Sequence, residues 1–375
     1  MLIRKAKIRY LVGIMVTGLT LAGCNTDKLT TDNQTTLSSS PVNDKSSEVE
    51  NNTKNAIDSK ELSNASTLDT KEDRTVYAMD TVMTLTVYGD NAAKALDAAE
   101  AEIYRLDALL NRGSKDSEIY KLNEARQLEV SDDVKSLISC ALEVGDSVDG
   151  AFDITIADMM DLWGFYTKEF HVPTEDELSK TLAKTNYKDV VIDGNKVSLQ
   201  NEVKIDLGGI AKGYLSSRIM DIFKENEVTS AIVSLGGNVE ALNTKPNGDS
   251  WKVAIQNPND DSFIGGVAIE NKAVITSGGY QRYFEQDGKV YHHIIDPSTG
   301  YPADNNLKSV TIISEDGTKA DALSTSLFVL GLDKAIEYYK EHDGFEAVFI
   351  DNENNIYATE NAAFESNLPF EIIKK

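Results

Sequence analysis

Residues 205–213, with the sequence IDLGGIAKG, have the composition of an anion-binding turn. A short predicted strand leads into Gly208 and Gly209, and a predicted helix follows from Ala211. Glycine lets the backbone approach a ligand closely, and the first turn of a helix offers free N–H groups and the positive end of the helix dipole. Lys212 adds a cation. The segment predicts a cradle for a pyrophosphate, although an ordinary tight turn between a strand and a helix has the same features.

Asp321 and Thr325 are four residues apart at the start of a predicted helix, where positions i and i+4 share a face. A carboxylate and a hydroxyl on one face can bind a hard cation through oxygen. Mg²⁺ commonly takes one or two protein carboxylates and completes its shell with phosphate oxygens and water. The pair therefore predicts a magnesium site, and the alternative is that Asp321 only caps the helix.

Two of the chain's four histidines, His292 and His293, are adjacent within residues 291–300 (YHHIIDPSTG). If this segment is a strand, successive side chains point to opposite faces, so only one histidine can face a given site. A neutral imidazole there could act as a general base for a hydroxyl group. Spacing alone does not choose between the two, and it leaves open a packed or solvated histidine beside the Asp-Pro turn.

Residues 150–155 (GAFDIT) and 162–165 (LWGF) place small, aromatic and acidic residues beside a tryptophan. Such a run could form the wall of a site for a ring-shaped ligand, or only the edge of the core and a turn. The chain has no GxSxG, CxxC, HExxH or Walker-lysine motif. The commonest hydrolase, zinc and kinase classes are thereby excluded.

The elements that must position these residues follow from apolar periodicity. It predicts helices over 91–111, 131–148 (with Ser131 as N-cap), 211–226, 321–330 and 333–341. It predicts strands over 76–88, 203–207, 230–235, 251–256, 266–276, 290–295 and 309–314, and a hairpin over 189–202 that turns at Asp193-Gly194. Because helices and strands alternate irregularly, we expect an α+β fold, a mixed sheet with packed helices, and not a regular doubly wound sheet.

The N-terminus predicts export and lipid attachment. A basic segment precedes the apolar residues 11–23, the pattern of a secretory signal peptide and too short for a comfortable membrane span of about 20 residues. Leu-Ala-Gly before Cys24 resembles a bacterial lipobox. We expect cleavage after residue 23 and anchoring of Cys24 by acyl chains such as palmitate, on the extracytoplasmic face of the cell membrane. An uncleaved anchor or a coincidental cysteine is the alternative.

Residues 24–73 are rich in Ser, Thr, Asn and Asp and contain no aromatic residue, which predicts a disordered tether. The remaining residues, 74–375, form the predicted folded part. The net charge of −24 argues against nucleic acid as a ligand. Cys140 is the only other cysteine, so no internal disulfide is expected, and its helical spacing predicts a small core residue.

Nine segments, in order along the chain from Val76 to about Gly331, resemble the FAD:protein FMN transferases, the ApbE family. They are residues 78–81 (AMDT), 117–123 (SEIYKLN), 150–155 (GAFDIT), 162–165 (LWGF), 206–213 (DLGGIAKG), 234–238 (SLGGN), 276–278 (TSG), 293–300 (HIIDPSTG) and 320–325 (ADALST). The resemblance implies Mg²⁺-dependent transfer of FMN from FAD to a Thr or Ser hydroxyl of an exported acceptor protein, with release of AMP. The acceptor is expected to present a short Asp-containing motif that ends near Ala-Thr.

The resemblance also implies roles for individual residues. Asp321, Thr325 and the backbone carbonyl of Gly209 would bind Mg²⁺, and His293 would take the proton of the acceptor hydroxyl. The residues expected to contact FAD are Met79, Ser117, Asn123, Ala151, Phe152, Asp153, Asp206, Lys212, Ser277, Gly278 and Ile295. Two other functions use the same features: hydrolysis of FAD to FMN and AMP, and delivery of bound FAD by a lipoprotein without chemistry. A purely structural surface lipoprotein would bind no flavin.

The sequence departs from the family pattern at a few positions. Asp80 stands where many members have glycine, and Ile154 and Asp158 stand where proline is frequent. Ser324 stands where some members have an acid, which puts a third side-chain ligand for the metal in doubt. None of these departures removes a proposed core group.

Overall fold

The computed structural model describes residues 70–375. The predicted signal peptide, Cys24 and nearly all of the predicted tether lie outside these residues. The first strand begins at Lys71, so the last residues assigned to the tether belong to the fold. Within the described part of the chain, no helix is both long and apolar enough to cross a membrane.

The described residues form eight α-helices and seventeen strands. The helices are α1 Ala92–Leu110, α2 Glu118–Ala125, α3 Asp132–Ser147, α4 Ala157–Leu162, α5 Glu175–Leu182, α6 Ala211–Glu225, α7 Gly317–Leu330 and α8 Leu332–Glu341. The strands are β1 Lys71–Ala78, β2 Thr81–Tyr88, β3 Gln127–Glu129, β4 Val190–Asp193, β5 Lys196–Leu199, β6 Ser230–Leu235, β7 Asn238–Leu242, β8 Trp251–Gln256, β9 Phe263–Ile269, β10 Ala273–Gly278, β11 Tyr283–Gln286, β12 Lys289–His292, β13 Leu307–Ser314, β14 Phe345–Asp351, β15 Ile356–Thr359, β16 Phe364–Glu365 and β17 Glu371–Ile373.

A nine-stranded mixed sheet in the order β1-β2-β6-β7-β10-β13-β14-β15-β17 organises the fold. Within the described residues, β15 and β17 are the only neighbouring strands of this sheet that run parallel. One face carries Leu85 and Ile312 into the main hydrophobic core with the helices. The other face carries Ile232 and Ile313 against the small sheet β16-β9-β8. The α+β prediction is confirmed.

Several local predictions are also confirmed. Ser131 caps α3 by accepting a hydrogen bond from Val134 N, and β4 and β5 form the predicted hairpin, although its two turn residues are Gly194 and Asn195 and not Asp193 and Gly194. Cys140 packs at the edge of the main core, and burial raises the pKa of its thiol to about 11. These features depend on residues close together in sequence, where a local pattern is sufficient.

Two predicted strands are each two strands in the structure. Residues 76–88 form the β1–β2 hairpin, whose two-residue turn consists of Met79 (φ 49°) and Asp80 (φ 57°). Residues 266–276 are divided between β9 and β10. In the β1–β2 turn both residues occupy the left-handed region that a type I′ turn requires. Neither residue is glycine or asparagine, the usual markers of such turns. The alternating apolar pattern therefore predicted one continuous strand.

Three further predictions of local structure are wrong. Residues 203–207 form no strand, only an isolated bridge between Lys204 and Ile156. The strand predicted over 290–295 ends at His292. Helix α7 begins at Gly317, because the Asp316 side chain accepts from Lys319 N, so Asp321 lies one turn inside the helix and is not its cap.

Helices α6 and α7 cross at two glycines. A Cβ atom on Gly213 would lie 2.6 Å from the Cβ of Asp321 and even closer to the backbone oxygen of Gly317, both on α7. Real Cβ atoms do not approach that closely, so glycine at position 213 sets the separation of the helices. This crossing brings the start of α6 beside Asp321 of α7.

Candidate active site

A cavity of about 610 Å³ opens where the start of α6, the β1–β2 turn and the segment after β12 meet. Ten of the predicted site residues line it: Met79, Ala151, Phe152, Asp153, Asp206, Gly209, Lys212, His293, Ile295 and Thr325. These residues come from segments far apart in the chain. The structure therefore brings the phosphate, metal, ring and base predictions together in one place.

The N-terminus of α6 forms one wall and has unused donors. Gly208 N donates to Oδ1 of Asp206 at 2.7 Å, and Ala211 N donates to Leu207 O. The backbone N–H groups of Gly209 and Lys212 donate to no atom within residues 70–375, and the Lys212 ammonium makes no ion pair there. Free amides, the helix dipole and a cation at one helix end suit a phosphate group.

Asp321 lies beneath this wall, outside the cavity lining, and is only 4% exposed. Its Oδ2 accepts a hydrogen bond from Gly213 N at 2.8 Å, and no Lys or Arg in the described part of the chain forms an ion pair with it. A buried carboxylate without a cationic partner is costly. Burial of the Asp321 carboxylate therefore favours a bound cation, because no Lys or Arg within residues 70–375 pairs with it.

The residues present fit a magnesium ion. Thr325, one turn after Asp321, lines the same cavity as Gly209. Carboxylate, hydroxyl and carbonyl oxygens are hard ligands that Mg²⁺ accepts, with water or phosphate in the remaining positions. No group of three His, Cys, Asp or Glu side chains in the described residues could hold a metal. A cation here would thus keep positions for substrate phosphates.

The structure distinguishes the two histidines. Nδ1 of His293 lies 3.2 Å from the carbonyl oxygen of Arg282, and since a carbonyl only accepts, Nδ1 carries the proton. Burial and the nearby Arg282 guanidinium lower the pKa of His293 well below its ordinary value. His293, which lines the cavity, is therefore a neutral imidazole with its lone pair on Nε2.

His292 makes only structural contacts. Its Nε2 donates to Ala303 O at 3.0 Å, and its Nδ1 accepts from Ile294 N. The ring packs edge-on against Phe328. Both nitrogens are occupied away from the cavity, so His293 is the candidate base.

The Asp153 side chain organises the wall on which it lies. Oδ1 accepts from the backbone and the hydroxyl of Thr155, and Oδ2 accepts from Tyr187 N at 2.9 Å. Burial raises the pKa of Asp153 despite these hydrogen bonds. Neighbouring Phe152 lies against the α6 turn, where a Cβ on Gly209 would be 3.1 Å from its ring. Asp153 thus fixes the loop that presents Ala151 and Phe152.

Arg112 is a cation in this site that no sequence pattern predicted. Its Nε donates to Oδ2 of Asp206 at 2.6 Å, and its Nη2 donates to Oδ1 of Asp161 at 2.6 Å. The guanidinium lies 3.7 Å above the ring of Tyr166, another residue of the lining. Arg112 is 94 positions from Asp206 in the chain, so no local spacing pointed to the pair.

Met79 enters the cavity from the β1–β2 turn. Its backbone N–H donates to Oδ1 of Asp107 at 3.2 Å, which holds the turn against α1. Asp80 occupies the left-handed region, and this explains why a position that is often glycine in the family can hold aspartate, a residue that tolerates this conformation.

Four predicted FAD contacts do not line the cavity. Ser117 caps α2 by accepting from Tyr120 N. The Asn123 side chain bonds both N and O of Ile205, the residue before Asp206. Ser277 bonds hydroxyls of α7, and Gly278 follows it at the end of β10. Ser117 and Asn123 are buried, and their side chains hydrogen-bond to backbone groups of neighbouring segments, which they support.

Known proteins resemble this chain in sequence and in fold. A profile of the ApbE family matches residues 79–349, and the chain belongs to that family. A protein of Klebsiella pneumoniae named FAD:protein FMN transferase is 36% identical over 262 residues, 68% of this chain and 81% of that protein. One of Escherichia coli K12 with the same name is 31% identical over 286 residues, 72% of this chain and 81% of that protein.

Solved structures show the same architecture. The ApbE protein of Thermotoga maritima superposes with a TM-score of 0.74 at 34% identity, covering 78% of this chain and 97% of that one. The apo flavinyl transferase ApbE of Pseudomonas stutzeri superposes with a TM-score of 0.70 at 29% identity, covering 80% of this chain and 95% of that one.

Proposed function

We propose that this chain is a Mg²⁺-dependent FAD:protein FMN transferase. It moves FMN from FAD to a Thr or Ser hydroxyl of an acceptor protein and releases AMP. The observation that carries the proposal is the convergence of His293, Lys212 and Thr325 on one cavity. Relatives that bear this activity in their names, at 36% and 31% identity, support it.

The α6 turn binds the pyrophosphate of FAD in this proposal. Gly209 and Lys212 line the cavity, and their free amides and the Lys212 ammonium would donate to phosphate oxygens. Asp321, Thr325 and the Gly209 carbonyl would hold Mg²⁺, which would supply positive charge to neutralise the phosphates and the departing AMP. The Phe152 wall and Met79 enclose the rest of the nucleotide.

His293 acts on the acceptor. Its Nε2 takes the proton as the hydroxyl oxygen bonds to the FMN phosphorus and the bond from phosphorus to the AMP phosphate oxygen breaks. The hydrogen bond from Nδ1 to the Arg282 carbonyl fixes the tautomer that this step needs. General-base assistance of this kind contributes about 10²- to 10⁴-fold in rate.

We also propose that Cys24 anchors the protein by lipid to the extracytoplasmic face of the cell membrane, where exported acceptors are found. The basic N-terminal segment, the apolar residues 11–23 and the Leu-Ala-Gly before Cys24 support this. The polar residues between Cys24 and the start of β1 at Lys71 would separate the enzyme from the membrane surface. Labelling of the protein with a palmitate analogue, and its loss in Cys24→Ala, tests the anchor.

Mass spectrometry of a motif-bearing acceptor tests the activity. The acceptor is incubated with the full-length chain, FAD and Mg²⁺, with EDTA in a parallel sample. A covalent FMN adduct that EDTA prevents is the expected result. FAD left intact would identify a flavin-binding lipoprotein, and AMP released without an adduct would identify a hydrolase; either contradicts the proposal.

A further inference from the structure

The hydroxyl groups of Ser277, Ser324 and Thr325 form a hydrogen-bonded chain beneath the cavity. Ser277 is on β10, and the other two are on α7. Ser277 Oγ lies 2.8 Å from Ser324 Oγ and 3.1 Å from Thr325 Oγ1. Only Thr325 lines the cavity. The proposed mechanism so far gives Ser277 no part.

The direction of this chain follows from proton counting. Each hydroxyl has one proton to donate and lone pairs to accept. Ser324 Oγ donates to the carbonyl oxygen of Asp321 at 2.8 Å, so its proton is used. Ser277 must then donate to Ser324, and Thr325 must donate to Ser277. The Thr325 oxygen is left with both lone pairs free.

We propose that Ser277 is a positioning residue for the cation site, which turns the Thr325 proton away from the cavity and its lone pairs toward the metal. This inference rests on the proposed function. A hydroxyl can bind Mg²⁺ only through a lone pair, and its proton then needs an acceptor elsewhere. Ser277 supplies that acceptor, and the Asp321 carbonyl ends the chain. These hydrogen bonds therefore connect Thr325, which would supply the hydroxyl ligand, with Asp321, which would supply the carboxylate ligand.

Thr276 provides a matched control on the same strand. Its hydroxyl makes a 2.8 Å hydrogen bond with the Thr311 hydroxyl, but successive residues of a strand face opposite sides of the sheet. Thr276→Val thus removes a comparable hydrogen bond from β10 on the side away from α7. Ser277→Ala removes the acceptor of Thr325. In Ser324→Ala, the Ser277 hydroxyl can no longer donate to Ser324 and can donate to Thr325 instead. Its proton then occupies one lone pair of the Thr325 oxygen.

Mn²⁺ binding to the full-length chain with FAD present, followed by electron paramagnetic resonance, tests the proposal. Asp321→Ala defines the background from surface acids. We expect Ser277→Ala to weaken site-specific Mn²⁺ binding by about 10- to 100-fold, the usual effect of losing an outer hydrogen-bond partner of a ligand. Ser324→Ala should weaken it in the same direction, and Thr276→Val should leave it unchanged.

Three results would overturn the proposal. Wild-type affinity in Ser277→Ala and Ser324→Ala would show that Thr325 needs no orientation, and the proposed function would stand. Equal weakening in Ser277→Ala and Thr276→Val would show a general loss of packing at β10. Absence of any Asp321-dependent Mn²⁺ in the wild type would overturn the metal assignment of the proposed function and this inference with it.

Discussion

Oε2 of Glu240 lies 2.5 Å from the hydroxyl oxygen of Ser216, inside the core between β7 and α6. The Ser216 hydroxyl, which donates to this carboxylate oxygen, also lies 3.0 Å from the carbonyl oxygen of Gly213, so its one proton is shared between two acceptors. Burial raises the pKa of Glu240 to about 7, although Ser216 and Ser217 oppose the shift.

Stability should fall as pH rises through neutrality, because of Glu240. The folded protein keeps a proton that the unfolded chain loses, in the window from the ordinary pKa of 4.5 to about 7. Glu240→Gln keeps a carbonyl oxygen that can accept from the Ser216 hydroxyl and removes the titration. We expect the variant to be more stable than wild type by up to about 3 kcal/mol at pH 8 and similar at pH 4.5. Urea unfolding at both pH values measures this, and a pH-independent difference would contradict it.

Replacement of His293 should separate catalysis from binding. We expect His293→Ala to lower transfer by about 10²- to 10⁴-fold and leave FAD affinity nearly unchanged. Because the pKa of His293 lies below its ordinary value, kcat/KM of the wild type should stay level as pH falls past 6.5. Stopped assays of adduct formation and flavin fluorescence titration measure the two effects. Loss of FAD binding would instead make His293 a wall residue.

His292→Gln is the matched control for that experiment. The variant disturbs the hydrogen bonds to Ala303 O and from Ile294 N, so its cost falls on stability, about 1–3 kcal/mol. The folded fraction should transfer FMN at a rate close to that of wild type. A catalytic loss as large as that of His293→Ala would show that the two histidines act together.

Asp321→Asn should uncouple stability from magnesium. An asparagine oxygen can still accept from Gly213 N, but the buried negative charge is gone. Without metal we expect the variant to unfold at the same or a higher temperature than wild type, since an unpaired buried charge is removed. With FAD, Mg²⁺ should raise the Tm of wild type alone, and transfer by the variant should be lost. Thermal scans with and without Mg²⁺ decide, and an equal Mg²⁺ response in both proteins would be contrary evidence.

Arg112→Gln should weaken FAD binding. The change leaves the Asp206 carboxylate unpaired beside the phosphate wall, where it repels an anionic ligand. We expect a rise of about tenfold or more in the dissociation constant for FAD, equivalent to about 1.4 kcal/mol. Arg105→Gln is the control, because Arg105 pairs with Glu102 and Asp133 outside the cavity lining. Fluorescence titration of both variants tests this, and equal affinities would assign Arg112 to folding alone.

Functional residues that lie in short sequence patterns could be predicted from the sequence. Contacts between residues far apart in the chain could not. Lys212 and Thr325 could be predicted because a glycine turn and helical spacing are short-range patterns. Spacing left His292 and His293 as alternatives, and only the family resemblance pointed to His293. Arg112 was missed because its partner Asp206 reaches it only through the tertiary fold. Ser117 and Asn123 lie in a recognised segment, yet the structure uses both to hold backbone in place. Sequence could locate these segments but not tell wall residues from their supports.

The role of Asp321 shows the same limit. Its place at a predicted helix start suggested a cap, and only the true start of α7 at Gly317 removes that alternative. Asp316 outcompetes it as a cap because its side chain reaches Lys319 N. A boundary shift of one helical turn thus changes a surface residue into a buried one.

Because α6 and α7 cross at Gly213 and Gly317, one part of the cavity should tolerate changes in its ligand less than the rest does. The residues proposed to bind the phosphates and the cation lie on two helices in direct backbone contact. The distance between these residues therefore cannot adjust to a different reacting group. The flavin and adenine are expected to meet loop residues such as Ala151 and Phe152, which belong to no helix or strand. An enzyme built this way should accept dinucleotides with altered rings far more readily than those with a lengthened or methylene-bridged pyrophosphate.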